Sequence, residues 1–270
     1  MGPKKTFHFL SGLPRSGSTV LASLLSQNPD VYVSATSPLV GLMYGAKQMW
    51  DTAPHVQAYS VPGQIETVLG GMLDSFYSYT DKPIVLDKNR AWANPDKHDL
   101  LTKALGRAPK IIATVRPIAE ILASFIMLIR KNQGTVSFID QELMALGQAL
   151  TDENRCSLLM SKDGHVFQSW FVLKAGYETY PETILLLSYD ELVTKPSESL
   201  SRIYSFLNID SHRHDIGNIT NPVLENDEKA YNMPGMHAVR PQLVKTSPHP
   251  RDILGSVLYE RYQGGEFWKN

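Results

Sequence analysis

The stretch Phe7-His8-Phe9-Leu10-Ser11-Gly12-Leu13-Pro14-Arg15-Ser16-Gly17-Ser18-Thr19 decides how the rest of the chain is read. A short apolar run enters a turn with Gly12 and Gly17 at G-x-x-x-x-G spacing. Val20, Leu21, Leu24 and Leu25 then follow at helical spacing. A strand, a glycine-bearing turn and a helix N-terminus in that order aim backbone N–H groups at one point, a nest for a phosphate or sulfate group. A Walker A loop places Lys-[Ser/Thr] directly after its second glycine. Here Ser18-Thr19 stand there, and the cation sits inside the loop as Arg15. On the loop alone, a strand–helix turn capped by hydroxyls and a generic anion site are equally good readings.

Outward from this turn, short apolar runs alternate with longer periodic segments, as in βαβ units around a parallel sheet. Strands are expected at Thr6–Leu10, Val31–Val33, Ile84–Asp87, Lys110–Val115 and Thr183–Leu187. In the first half, helices are expected over Gly17–Gln27, Glu66–Tyr77, Asp96–Leu105 and Pro117–Arg130, two of them marked by a proline at the start. Asp140–Leu150, Gly164–Tyr180, Glu198–Leu207 and Arg251–Tyr262 complete the set. Gln133–Gly176 reads as a helical insertion, either a packing layer or a wall of an acceptor pocket. Asp210–Pro250 holds five prolines and four of the eight histidines with little periodicity, which marks a loop-rich lid. No composition shift divides residues 1–270, so one domain is expected.

The 270 residues carry 26 Lys+Arg against 27 Asp+Glu, a formal net charge of -1. That balance offers no basic field for nucleic acid, although it permits a local cationic pocket. With 43% hydrophobic and 20% charged residues, the composition excludes a disordered chain. One cysteine excludes a disulfide framework and a Cys-based zinc site. No apolar run reaches the roughly 20 residues that span a bilayer. Met1-Gly2-Pro3-Lys4-Lys5-Thr6 fits a loose myristoylation pattern, but proline beside the glycine favours a plain solvated N-terminus. A soluble cytoplasmic protein with no membrane partner is the expectation.

Two more strand ends carry cations. Lys88-Asn89-Arg90 follows Ile84–Asp87, and Arg116-Pro117 follows Lys110–Val115. In open parallel sheets, ligands bind outside the carboxyl ends of the strands. Arg15, Lys88 and Arg116 converging on one edge of a chain with no overall positive charge call for a multiply anionic ligand. Ser124 lies about two turns into the helix after Arg116, roughly 10 Å along its axis, where the arginine can reach back beside it.

Gly-Leu-Pro-Arg-Ser-Gly-Ser-Thr resembles the 5′-phosphosulfate-binding loop of sulfotransferases that use 3′-phosphoadenosine 5′-phosphosulfate (PAPS). Arg116 and Ser124 resemble that family's 3′-phosphate-binding pair. Asp87-Lys88-Asn89 is similar to the lysine-bearing strand end of the tyrosylprotein sulfotransferase branch and its bacterial relatives. Leu187-Ser188-Tyr189-Asp190-Glu191-Leu192 is similar to the segment whose tyrosine lies against the adenine. Met236–Pro241, with Arg240, and Val244-Lys245-Thr246 resemble the segment covering the nucleotide. The resemblance runs in order from Thr6 to about Leu207. It implies a P-loop-like α/β fold, a parallel sheet flanked by helices, with PAPS as co-substrate and PAP as product. The implied nucleotide-binding residues are Pro14, Arg15, Ser16, Gly17, Ser18, Thr19, Arg116, Ser124, Tyr189, Arg240 and Lys245.

The implied chemistry is in-line transfer of a sulfuryl group to a hydroxyl or amine of a small molecule, glycan or peptide. Arg15 and Lys88 would be catalytic, with Lys88 at the bridging oxygen where negative charge builds. No metal is expected, because the Walker lysine and an obvious acidic metal site are both missing. The chain also departs from the family pattern. Tyrosylprotein sulfotransferases carry an acidic base after the first helix, yet Val33-Ser34-Ala35-Thr36-Ser37 has no carboxylate. The histidine that other branches place near the lysine strand is also absent. His237 and His165 remain as candidate bases. A P-loop NTPase or kinase, and a non-catalytic PAP-binding relative, are the alternatives.

Overall fold

The computed structural model describes residues 5–59, 61–223, 225–244 and 248–269. The N-terminal Met1–Lys4 and Lys245 lie outside them. Five strands form one all-parallel sheet: β1 (Thr6–Gly12), β2 (Val31–Thr36), β3 (Ile84–Lys88), β4 (Ile111–Val115) and β5 (Ile184–Ser188). Their order across the sheet is β2-β3-β1-β4-β5. After β1 the chain runs towards β2, and after β4 it runs the other way to β5. The crevice between β1 and β4 is therefore the switch point at which such sheets bind ligands.

Both faces of the sheet are covered, which is why its strands read as nearly continuous apolar runs. Phe7, Phe9, Val85, Ile111 and Ala113 face one core, and Leu10, Leu86, Ile112 and Leu187 face the other. The helices Ser18–Leu25 and Pro196–Leu207 cover the second face with Leu21, Leu24, Leu25, Leu200 and Ile203. Ile118–Lys131 packs on the first face through Ile121, Leu122, Phe125 and Ile126, with Pro250–Tyr262 against it. His8 points into the second core, where burial and the neighbouring Arg107 and Lys110 push it down to about 4, so it is neutral at ordinary pH.

The insertion is three helices, Phe138–Ala145, Asp152–Leu159 and His165–Thr179, whose Ile139, Cys156, Leu159, Val166 and Leu173 join the first core. Its first helix is shorter than Asp140–Leu150 and starts earlier. The Ser137 hydroxyl caps it by accepting from Asp140 N–H, and Gly147 at φ 65 lies beyond its end. The described residues of Asp210–Pro250 are largely irregular, as the prolines imply, apart from the short helix Asp227–Tyr231. Among the described residues no helix is long and apolar enough to cross a membrane.

Gly12 has φ 135, and a Cβ there would lie 2.4 Å from both the carbonyl oxygen and the hydroxyl of Thr114. Gly71 sits on the exposed side of the helix Gln64–Phe76, and a Cβ there meets nothing within 4 Å. Urea denaturation should find Gly12→Ala destabilised by about 2–4 kcal/mol. Gly71→Ala should gain roughly 0.5–1 kcal/mol.

Candidate functional site

The turn after β1 is built by three left-handed residues, Gly12 (φ 135), Arg15 (φ 58) and Gly17 (φ 92). Leu13 N–H donates to the Thr114 carbonyl at 2.8 Å, and Ser16 Oγ lies 2.6 Å from Thr114 Oγ1, so the loop is fastened to β4. Gly17 is the N-cap of the helix Ser18–Leu25, and no side chain caps that end. Its first-turn N–H groups stay available to an anion, in place of the hydroxyl caps that the sequence also allowed.

Pro14, Arg15, Gly17, Ser18 and Thr19 line one cleft of about 410 Å³, together with Lys88, Arg116, Ser124, Tyr189 and Arg240. Of the described site residues expected from sequence, Ser16 does not. Ser16 is fully buried and serves to fasten the loop, and Lys245 lies outside the described residues. The cations after β1, β3 and β4 thus meet at the carboxyl edge of the sheet.

One pairing ties Ser124 to the turn after β1. Its partner is Arg15, whose Nε donates to Ser124 Oγ at 3.1 Å and whose Nη1 donates to the Met236 carbonyl. Arg116 instead donates from Nε to Glu120 Oε2 and from Nη1 to the Arg15 carbonyl, both at 3.0 Å. Its guanidinium lies 4.5 Å from the Tyr189 ring centroid. Arg15 comes forward from the left-handed turn, so it reaches the helix Ile118–Lys131 that follows Arg116. Burial and the nearby Arg116 lower Arg15 to about 10, which leaves it cationic at neutral pH.

At the end of β3 the buried Asp87 accepts from Tyr77 Oη at 2.5 Å and Trp92 Nε1 at 2.6 Å. Those bonds fix the strand end from which Lys88 projects. Lys88 Nζ donates to Glu225 Oε1 at 2.9 Å and reaches Thr19 Oγ1 at 3.4 Å. Glu225 also accepts from the N–H and hydroxyl of Thr36, at 2.9 and 3.1 Å. A carboxylate therefore docks on the stretch of β2 that lacks one in its own sequence. His237 Nδ1 stands 3.2 Å from Glu225 Oε2 and 2.5 Å from Asp227 Oδ1. Ligand atoms of Glu225, Asp227 and His237 all lie within 4.8 Å of one another, a spacing that could hold a metal ion. His165 lies away from the cleft, exposed and edge-on to Phe138. Glu225 and Asp227 were missed from sequence because nothing local ties a carboxylate to a lysine 137 residues away.

Residues 9–213 match the family model described as "Sulfotransferase family". The chain belongs to the sulfotransferase family. This sulfotransferase-family chain is 24% identical over 207 residues to protein-tyrosine sulfotransferase 1 of Danio rerio, covering 74% of the chain and 52% of that protein. It is 23% identical over 209 residues to protein-tyrosine sulfotransferase A of Caenorhabditis elegans, covering 75% and 50%. The chain spans about half the length of the curated relatives it matches. Among solved structures, the sulfotransferase domain from the curacin biosynthetic pathway aligns at TM-score 0.47 and 16% identity, over 98% of this chain and 93% of that one. A mouse sulfotransferase complexed with PAP aligns at TM-score 0.46 and 19% identity, over 78% and 62%.

The Lys88–Glu225 pair is nearly enclosed, its side chains 8% and 11% exposed. Burial alone would raise the Glu225 carboxyl, but Lys88, His237 and the Thr36 N–H hold it below its ordinary 4.5. A depressed carboxyl adds stability above its unfolded pKa and loses it as pH falls through the folded value. Glu225→Gln should cost about 1–3 kcal/mol at neutral pH, because it leaves a buried ammonium without its counter-charge. Urea titrations should find that gap narrowing as pH drops below 4.5.

Proposed function

We propose that this chain transfers a sulfuryl group from PAPS to the hydroxyl or amine of a small-molecule, glycan or peptide acceptor. The observation that carries the reading is one cleft holding an uncapped helix N-terminus and cations from three strand ends. A 5′-phosphosulfate and a 3′-phosphate on one nucleotide need that many positive groups. Membership of the sulfotransferase family supports it. A nucleoside triphosphate fits less well, because Ser18 stands where its lysine would be.

In this reading the turn Pro14–Thr19, with Ser16 as its fastener, holds the phosphosulfate, and Arg116 and Ser124 take the 3′-phosphate. Tyr189 flanks the adenine, while Arg240 and Lys245 close over the nucleotide. The acceptor oxygen bonds to sulfur as the bond from sulfur to the bridging oxygen breaks. The electron pair stays on that oxygen, and PAP departs. Lys88 leaves Glu225 to meet the new charge, and Arg15 neutralises the phosphosulfate beside it. These side-chain cations supply the charge for which NTPases use Mg²⁺, so no metal is required in this scheme.

A ligand that binds only the folded state raises its stability. PAP should raise the melting temperature more than ATP with Mg²⁺; the reverse order would remove the sulfotransferase reading. Arg116→Ala should weaken PAP roughly tenfold or more, as expected for a lost charge-assisted bond. Adenosine 5′-phosphosulfate, which has no 3′-phosphate, should bind both proteins alike, and equal losses would unseat Arg116. Lys88→Ala should cut kcat about 10²–10³-fold while PAP affinity changes little in calorimetry. Full turnover in that variant would return Lys88 to an ordinary strand-end residue.

A further inference from the structure

The acceptor's proton needs a destination, and this inference rests on the sulfuryl-transfer reading above. We propose that His237 is the general base, with Asp227 and Glu225 as the residues that position it. His237 lines the cleft, whereas Glu225 and Asp227 stand behind it. Asp227 grips this residue twice. Its Oδ2 accepts the His237 backbone N–H at 2.7 Å, and its Oδ1 lies 2.5 Å from Nδ1. Glu225 Oε2 approaches the same nitrogen at 3.2 Å. An ionised carboxylate can only accept, so Nδ1 carries a hydrogen, and in the neutral ring Nε2 then presents its lone pair. Nε2 has no hydrogen-bond partner among the described residues, which leaves it for the acceptor.

Glu225 joins the two ends of the reaction. One of its oxygens holds the Lys88 ammonium and the other faces the His237 ring. Lys88 serves the leaving oxygen and His237 the attacking one, so one carboxylate sets their separation. As the acceptor oxygen bonds to sulfur, its proton passes to Nε2. The sulfur–bridging-oxygen bond breaks, and its electron pair leaves with PAP. The imidazolium then sits between two carboxylates and returns the proton to water. Net, PAPS and an alcohol give a sulfate monoester, PAP and one proton. Asp227, in turn, keeps the ring in the tautomer that can accept.

The test follows PAP release from PAPS with phenol, with the more acidic 4-nitrophenol and with water alone. His237→Ala should slow transfer to phenol by roughly 10²–10⁴-fold, the usual worth of a general base. Transfer to 4-nitrophenol, which gives up its proton readily, should suffer much less. Added imidazole should restore part of the phenol rate, and PAP affinity should match wild type. Asp227→Asn should lower kcat with phenol while leaving KM for PAPS near its wild-type value. If His237→Ala cannot bind PAP, His237→Gln, whose amide can still donate to Asp227, takes its place.

Wild-type-like phenol turnover in a PAP-binding His237 variant would overturn the assignment. So would equal losses on both phenols without imidazole rescue, which would make the residue a structural one. Loss of wild-type activity on chelation, restored by Zn²⁺ or Mn²⁺, would make the three residues a metal site instead. A wild type that releases no PAP with any of the three acceptors would bring down the sulfuryl-transfer reading itself.

Discussion

The contact between Gly12 and Thr114 governs the geometry of the cleft. At the last register position of β1 against β4, the backbones come so close that any side chain at residue 12 would collide with Thr114. That approach lets Leu13 N–H reach the Thr114 carbonyl and sets Ser16 against the Thr114 hydroxyl. The loop is then stiff enough to hold a non-glycine, Arg15, in a left-handed conformation. Its carbonyl becomes the anchor for Arg116, which leaves β4 on the neighbouring strand. Two guanidiniums that would repel in water are thereby held in one place by backbone geometry.

Much of this was legible from sequence for local reasons. The central strands β1, β3 and β4 are buried on both faces, so their apolar runs are nearly continuous and their ends are marked by a turn or a charge. The capping box of Ser188 and Glu191 that starts Tyr189–Thr194 is as local, four residues long, yet that stretch was read from sequence only as a family likeness. The helix Leu39–Thr52 was passed over because Gly41 and Gly45 and a mixed polar face blur its period. Asp152–Leu159 was missed for a related cause, since five of its eight residues are polar or charged. The long-range pairings were beyond reach. Nothing near Arg15 announces Ser124, 109 residues on, and nothing near Lys88 announces Glu225.

The departures from the family pattern at β2 have a physical explanation in the fold. Thr36 offers a backbone N–H and a hydroxyl at the open end of an edge strand, and both are taken by a carboxylate from the lid. A short strand end is a good place for such a graft, because its last N–H has no partner strand on the outer side. A local motif can disappear while the charge it would supply arrives from elsewhere in the chain.

The lid also touches two of the three cations directly, Lys88 through Glu225 and Arg15 through the Met236 carbonyl. Glu225 acts there as an internal counterion to Lys88, and the Met236 carbonyl offers its dipole to Arg15. On the proposed reading, an arriving nucleotide trades these contacts for its own phosphates, so the free energy of binding is the difference between two well-satisfied states. On that reading, the same exchange that admits the nucleotide loosens the roof through which product must leave.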